Sequence, residues 1–255
     1  MRPVRLCGLR RKKGRLMIED KRADFVDNSL CDVFSRRECI YDFLRRLFLT
    51  GPSRELLSAL IELTAGQPAA DAGACPVWEQ EFICFLQALQ PERTGWLCGT
   101  IKPEFTRLFI GPRHVPAPPY ESVYRSTARA LMQEITLEVR RKYRAAGLLV
   151  RNFNREPDDH IGLELEFMYF LNRQAAAALE RQQFAAVFTA IDWQQQFLAE
   201  HLSQWVPAFC QDTAENTGQD FFRKLAGFMA GFIMEDLVQV SSLKRSIVDP
   251  VAKGG

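Results

Sequence analysis

No apolar run in this 255-residue chain reaches the roughly 18–20 residues that span a bilayer, because Asp, Glu, Arg or Gln breaks every strong hydrophobic stretch. The seven cysteines, Cys7, Cys31, Cys39, Cys75, Cys84, Cys98 and Cys210, are an odd number with no C-x-x-C pair. That argues against a disulfide framework and a zinc ribbon, and the expectation is buried, reduced thiols of a cytosolic protein. Neither G-x-S-x-G nor a glycine-rich phosphate loop occurs, so no hydrolase nucleophile elbow and no phosphate cradle is indicated. Histidine is scarce: besides His160 there are His114 and His201, distant in sequence, neither with a second His or Cys at ligand spacing. The two-residue alternation of a half-buried strand is nearly absent.

What is present suits a globular core, with 47% hydrophobic and 25% charged residues. The net charge of +2 hides an asymmetry. Residues 1–16 carry Arg2, Arg5, Arg10, Arg11, Lys12, Lys13 and Arg15 and no acid; the rest holds 26 basic and 31 acidic residues, near −5. This stretch reads as a basic disordered arm, or as sequence upstream of a start at Met17. It lacks the apolar segment of about 7–15 residues found in a secretory signal, and its charge also suits nucleic acid or an anionic membrane. SRRECIYDFL (Ser35–Leu44) imitates a twin-arginine export signal, but Asp42, Arg45 and Arg46 interrupt the apolar segment that should follow. Ile40, Phe43, Leu44, Leu47 and Phe48 have helical spacing instead, predicting a core-facing helix with its arginines on the wet side.

Helical periodicity dominates and predicts helices near 22–49, 53–65, 76–90, 100–110, 121–146, 157–181, 183–206 and 218–240. Gly51-Pro52, the small-residue segment 66–74, Pro91 and Gly147 punctuate them, and Pro157 suits a first helical turn. The expected architecture is all-α: a single bundle of roughly eight to ten helices spanning 17–240, a hinge near 147–156, and a flexible tail at 241–255.

Two segments carry unusual chemistry. GPRHVPAPPY (Gly111–Tyr120) holds Pro112, Pro116, Pro118 and Pro119, four of the chain's thirteen prolines. It can be neither helix nor central strand. It is a stiff connector, or a wall of a recognition groove that loses little entropy on binding. EPDDHIGLELEFMYFL (Glu156–Leu171) places five acids and a histidine at the start of an apolar run. Asp158 and Asp159 complement a helix dipole or meet a guest. Asp159, Leu163, Glu166 and Phe170 share one face at helical spacing, His160 and Glu164 form an i,i+4 pair, and Ile161, Leu165 and Met168 form an apolar stripe. Glu166 is open to a salt bridge with an arginine. HLSQWVPAF (His201–Phe209) reads as core, with His201, Trp205 and Phe209 at i, i+4 and i+8.

EFTRLFIGPRHVPAPPYESVY (Glu104–Tyr124) and EPDDH (Glu156–His160), about thirty residues apart in a helical frame, together resemble the TorD/DmsD family, cytoplasmic chaperones for molybdenum enzymes of the dimethyl sulfoxide reductase type. HLSQWVPAF is similar to a third family element, and the likeness runs from about Glu38 to about Leu237. The resemblance implies no catalysis and no cofactor. It implies a protein that binds the twin-arginine leader of an apo-enzyme and holds it from export until cofactor is inserted. The implied contacts are Phe105, Leu108, Phe109, Pro118, Pro119, Tyr120, Asp159 and His160, and guanidinium–carboxylate chemistry adds Glu166 beside Asp159. Implied partners are the precursor of a molybdenum oxidoreductase catalytic subunit and proteins of molybdenum-cofactor biosynthesis, without nucleic acid or stable membrane insertion. Some relatives carry tryptophan where this chain has Phe105 and Tyr120. The rival readings are a helical metal-dependent hydrolase centred on His160 and Glu164, and a nucleic-acid adaptor using residues 2–15.

Overall fold

α1 (Ile18–Thr50) and α7 (Ile161–Glu180) pack lengthwise and form the spine of a computed structural model that describes residues 18–65, 77–87, 94–112, 115–126, 131, 134–150 and 156–252. Around them lie α2 (Arg54–Ala65), α3 (Val77–Gln87), α4 (Thr94–Phe105), α5 (Glu121–Arg125), α6 (Glu134–Ala145), α8 (Phe184–Phe197), α9 (Ser203–Asn216) and α10 (Asp220–Ala252). α4 continues into a π-helical turn at Thr106–Ile110, and α8 joins α9 through another at Leu198–Leu202. No strand occurs among the described residues; the single β-type contact is an isolated antiparallel bridge between Tyr120 and His160. The bundle is all-α, as the periodicity predicts. No described helix is long and apolar enough to cross a membrane. The basic stretch 1–16, segment 66–74, His114 and residues 151–155 of the expected hinge lie outside the described residues.

Local chemistry explains the ends that matter. Gly51, at φ +77°, closes α1 by donating its N–H to Leu47 O at 3.0 Å, and Pro52 follows. Gly147, also at φ +77°, ends α6, where Leu148 N–H reaches back to Tyr143 O at 2.8 Å. The span 121–146 is two helices rather than one: Ser126 turns to extended geometry, φ −93° and ψ 141°, with no glycine or proline to announce it. Pro157 sits ahead of α7, not in its first turn; His160 is the cap residue and the helix begins at Ile161. α10 runs through 241–252, where a tail was expected, because Ser241 and Lys244 bond to Gln195 of α8 and Lys244 pairs with Asp192.

The core is one continuous cluster rich in phenylalanine. It encloses a charge that amphipathic reading assigns to solvent. Arg37 is fully buried, not on the wet face of α1. Its Nε and Nη2 donate to the two oxygens of Asp236 at 2.6 and 2.9 Å, and its Nη1 donates to Asn172 Oδ1 at 2.7 Å. Tyr41 OH donates to Asp236 Oδ2 at 2.6 Å, and Asn172 Nδ2 donates to Phe34 O at 2.8 Å. The network ties α1, α7 and α10 together with its donors matched. The cysteine expectation needs a similar correction: Cys210 is buried, but Cys31, Cys39 and Cys84 are exposed, on outward helix positions.

Removing one partner of a buried bidentate pair strands the other charge. Asp236→Ala is therefore expected to lower unfolding stability by about 3–5 kcal/mol, read as a lower urea midpoint at unchanged m-value.

Candidate functional site

The proline loop and the start of α7 are stitched together by their backbones. Ile161 N–H donates to Pro119 O at 2.9 Å, and Glu121 N–H donates to Asp159 O at 3.0 Å. Farther back, Ala117 N–H anchors the loop to Leu108 O at 3.1 Å, and Gly111, at φ +33°, closes the π turn onto Thr106 O at 2.7 Å. π turns insert one residue and re-aim the side chains around it. Here Leu108 points into the core, fully buried, while Ile110 stands 61% exposed.

These elements enclose a cleft of about 960 Å³. Its floor is Phe48, Phe105 and Phe109, whose rings meet at centroid distances of 5.0–6.3 Å and pack on into Phe209 and Phe222. Pro118, Pro119, Tyr120 and His160 make one wall, Leu49 and Leu131 lie at the margin, and Glu156, Asp212 and Asn216 supply its polar rim. Tyr120 donates its hydroxyl to Glu156 Oε1 at 2.6 Å, and its ring meets that of His160 edge-on at 5.3 Å. Burial and the Glu156 carboxylate raise the Tyr120 pKa, so the phenol stays a donor. Burial lowers the pKa of His160, against the pull of Glu156 and Asp159. Its Nδ1 accepts from Gly162 N–H at 3.0 Å, so in the neutral ring the proton sits on Nε2, where it remains available as a donor.

Of the residues named from sequence, Phe105, Phe109, Pro118, Pro119, Tyr120 and His160 line this cleft, and Leu108, Asp159 and Glu166 do not. Leu108 is core, acting through its carbonyl. Asp159 is fully buried behind the wall, where its Oδ2 accepts from Ser122 N–H at 2.8 Å and caps α5. The helical phase joining it to Leu163 and Glu166 fails because α7 starts two residues later. Glu166 faces a different groove and meets Arg45 at 3.2 Å on the surface. Asp158 is clamped by Arg140 at 2.6 Å. The His160–Glu164 pair does not form: Glu164 is fully buried and accepts from the Trp205 indole N–H at 3.1 Å. Burial, then the neighbouring Glu121, raises its pKa far above the carboxylate range, so it is held neutral. Behind it His201 Nδ1 lies 2.9 Å from Glu121 Oε2, which makes His201 the packed, hydrogen-bonded histidine that its spacing predicts. No group of three His, Cys, Asp or Glu side chains among the described residues is arranged to hold a metal ion.

The match to known proteins falls on this region. The family model for the nitrate reductase delta subunit matches residues 78–211. Among similar proteins are chaperone protein TorD of Vibrio cholerae, 28% identical over 134 residues, and Tat proofreading chaperone DmsD of Salmonella typhi, 31% identical over 119 residues. The chain belongs to the TorD/DmsD family. The matched regions cover 52% of this chain and 59% of the TorD relative, and 47% and 52% for DmsD, so the chain spans little more than half the length of these relatives. In this TorD/DmsD member the matched stretch includes the π turn, the proline loop and the start of α7. Phe48 and Leu49 from α1, and Asp212 and Asn216 from the end of α9, complete the cleft from outside it.

Sequence reading passed over Glu156 as a cleft residue although it opens the quoted E-P-D-D-H element; the available signal was an acid placed before the helix, clear of its capping positions. Asp212, Asn216 and Leu49 had no local signal.

Two supports of the cleft are open to measurement. Glu104 accepts from Arg107, from Thr217 Oγ1 at 2.9 Å and from Gly218 N–H at 3.0 Å, holding the turn beyond Asn216. Arg107 first, then these bonds, lower its pKa from 4.5 to about 2. A depressed carboxylate pKa stabilises the fold above the unfolded value and stops doing so as pH falls through the folded one. The urea midpoint of the parent should therefore exceed that of Glu104→Gln near neutrality, and the gap should close between pH 4.5 and about 2. Gly162 lies so close to α1 that a Cβ there meets Leu49 Cγ and Cδ2 at 2.8 Å. Gly162→Ala is expected to cost about 1–3 kcal/mol by overpacking, measured by the same denaturation.

Proposed function

We propose that the protein is a non-catalytic cytoplasmic chaperone whose cleft captures the twin-arginine leader of a dimethyl sulfoxide reductase-type molybdoenzyme precursor. The leader is held until cofactor insertion is complete, as quality control before export. The observation that carries the reading is Glu156, a carboxylate at the mouth of an aromatic-floored cleft, fixed by the Tyr120 hydroxyl at 2.6 Å. The family and the names of the TorD and DmsD relatives support a chaperone role.

The chemistry fits such a guest. A carboxylate offers about four lone-pair sites, of which Tyr120 takes one, leaving Glu156 able to receive a guanidinium fork. Asp212, near the end of α9, is a second acid in the lining. Burying about 400–600 Å² of apolar surface contributes on the order of 10–15 kcal/mol gross, most of it cancelled by association and peptide ordering. A rim ion pair gives roughly 0.2–1 kcal/mol. Affinity then rests on the apolar wall, and discrimination and on-rate rest on the acids.

The test is calorimetry with a synthetic peptide carrying two adjacent arginines followed by an apolar run. Tyr120→Ala is expected to weaken binding at least tenfold. Glu156→Gln should weaken it less, slow association and flatten its salt dependence. A parent protein that leaves the peptide unbound, or a Tyr120→Ala variant that binds as tightly as the parent, would refute the reading.

A further inference from the structure

A second hollow, of about 850 Å³, runs along the outer face of α7 and shares two lining residues, Leu49 and Glu156, with the cleft. The two hollows therefore adjoin. We propose that one leader spans both, with its arginines at Glu156 and the apolar segment that follows them seated in the α7 groove. This extends the leader reading and depends on it.

Length, lining and charge order all fit that occupant. From Leu163 to Ala177 the groove follows fifteen residues of α7, fourteen steps that span about 21 Å at about 1.5 Å per residue. The apolar segment of an export signal is about 7–15 residues, which as a helix is about 10–22 Å long. The groove lining is mostly apolar: Leu163 and Phe170 on α7 line it together with Leu149, which stands 77% exposed just past the end of α6. An exposed leucine beside the half-buried rings of Tyr169 and Phe170 is unfavourable in water until something covers it. Glu156 lines both hollows at the entry, Glu166 lies midway with its charge met by Arg45 at 3.2 Å, and Arg173 lies toward the far end. A helix entering with its cationic flank at Glu156 brings its C-terminal carbonyls toward Arg173, the favourable sense for a helix dipole.

The experiment uses the full chain and two synthetic peptides that share the arginine pair. The short one ends a few residues after it, and the long one continues through the apolar run. In calorimetry the parent should bind the long peptide at least tenfold more tightly than the short one. Leu149→Glu should abolish that advantage while binding the short peptide as the parent does, and the uncharged Leu149→Ser should reduce it. Leu149 is exposed, so neither change unfolds the protein, which a thermal melt verifies. Tyr120→Ala should weaken both peptides. Retention of the full advantage by Leu149→Glu, with Tyr120→Ala still weakening both, overturns the groove assignment and leaves the leader reading standing. A parent that binds neither peptide overturns both. Should Leu149→Glu instead convert a dimer to a monomer in light scattering without altering the long-peptide advantage, the groove is a self-association face and the proposal fails.

Discussion

Each of the two segments that form the cleft caps the helix begun by the other. The first N–H groups of a helix have no partner inside it. For α7 the Ile161 N–H is taken by Pro119 O of the proline loop, and the Gly162 N–H by His160 Nδ1. For α5 the Glu121 and Ser122 N–H groups are taken by the carbonyl and the carboxylate of Asp159. Three donors are thus satisfied across one seam, and the fourth, Gly162 N–H, is satisfied beside it by the cap residue of α7 itself. Proline has no N–H to offer, so the loop contributes to the seam through its carbonyls, while Asp159 contributes both kinds of acceptor. Moving either segment exposes buried backbone donors, and that penalty holds Tyr120 and His160 side by side.

The same seam sorts the acids by burial. A carboxylate out of water must be paired, hydrogen-bonded or neutral. Asp158 is paired with Arg140, Asp159 caps α5, Glu121 meets Arg125 and His201, and Glu164 is held protonated beside it. None of these retains its charge where a guest can meet it. Glu156, one residue ahead of Pro157, sits outside that packing and is anchored through its contact with Tyr120. The dense run of acids around α7 therefore divides: most build the seam, Glu156 faces the cleft, and Glu166 meets Arg45 on the surface.

Sequence pattern reveals the first population poorly and the helices well. Repeats such as Ile161, Leu165 and Met168, all fully buried, follow directly from 3.6-residue periodicity. Arg37 is missed because an arginine on an amphipathic helix, here beside Arg36, reads as solvent-facing; its burial depends on Asp236, 199 residues away. The break after α5 is missed because no local residue causes it. The proline loop and the E-P-D-D-H element are legible as a pair through composition and resemblance. Their side-chain roles are not, because Asp159 and Glu166 take their directions from where α7 starts, and helix starts are set by capping partners that lie elsewhere in the chain. Leu49, Asp212 and Asn216 reach the cleft only through the packing of α1 and α9.

The floor of the cleft belongs to the core. Phe105 and Phe109 are 5% and 4% exposed, and their rings pack against Phe209 and Phe222 from α9 and α10. Under the proposed function, a guest lying on them would add contacts to the same cluster that holds the bundle together, linking occupancy to stability: a ligand at a hundred times its Kd adds about 2.7 kcal/mol to folding. Truncating either phenylalanine consequently removes core and floor at once and says little about recognition. The wall is different. Tyr120 is only half-buried and its hydroxyl bond is to Glu156, outside the core. Under the proposed function, Tyr120 and Glu156 are therefore the cleft residues whose substitution tests recognition with little effect on the fold, whereas the floor is fixed by the core.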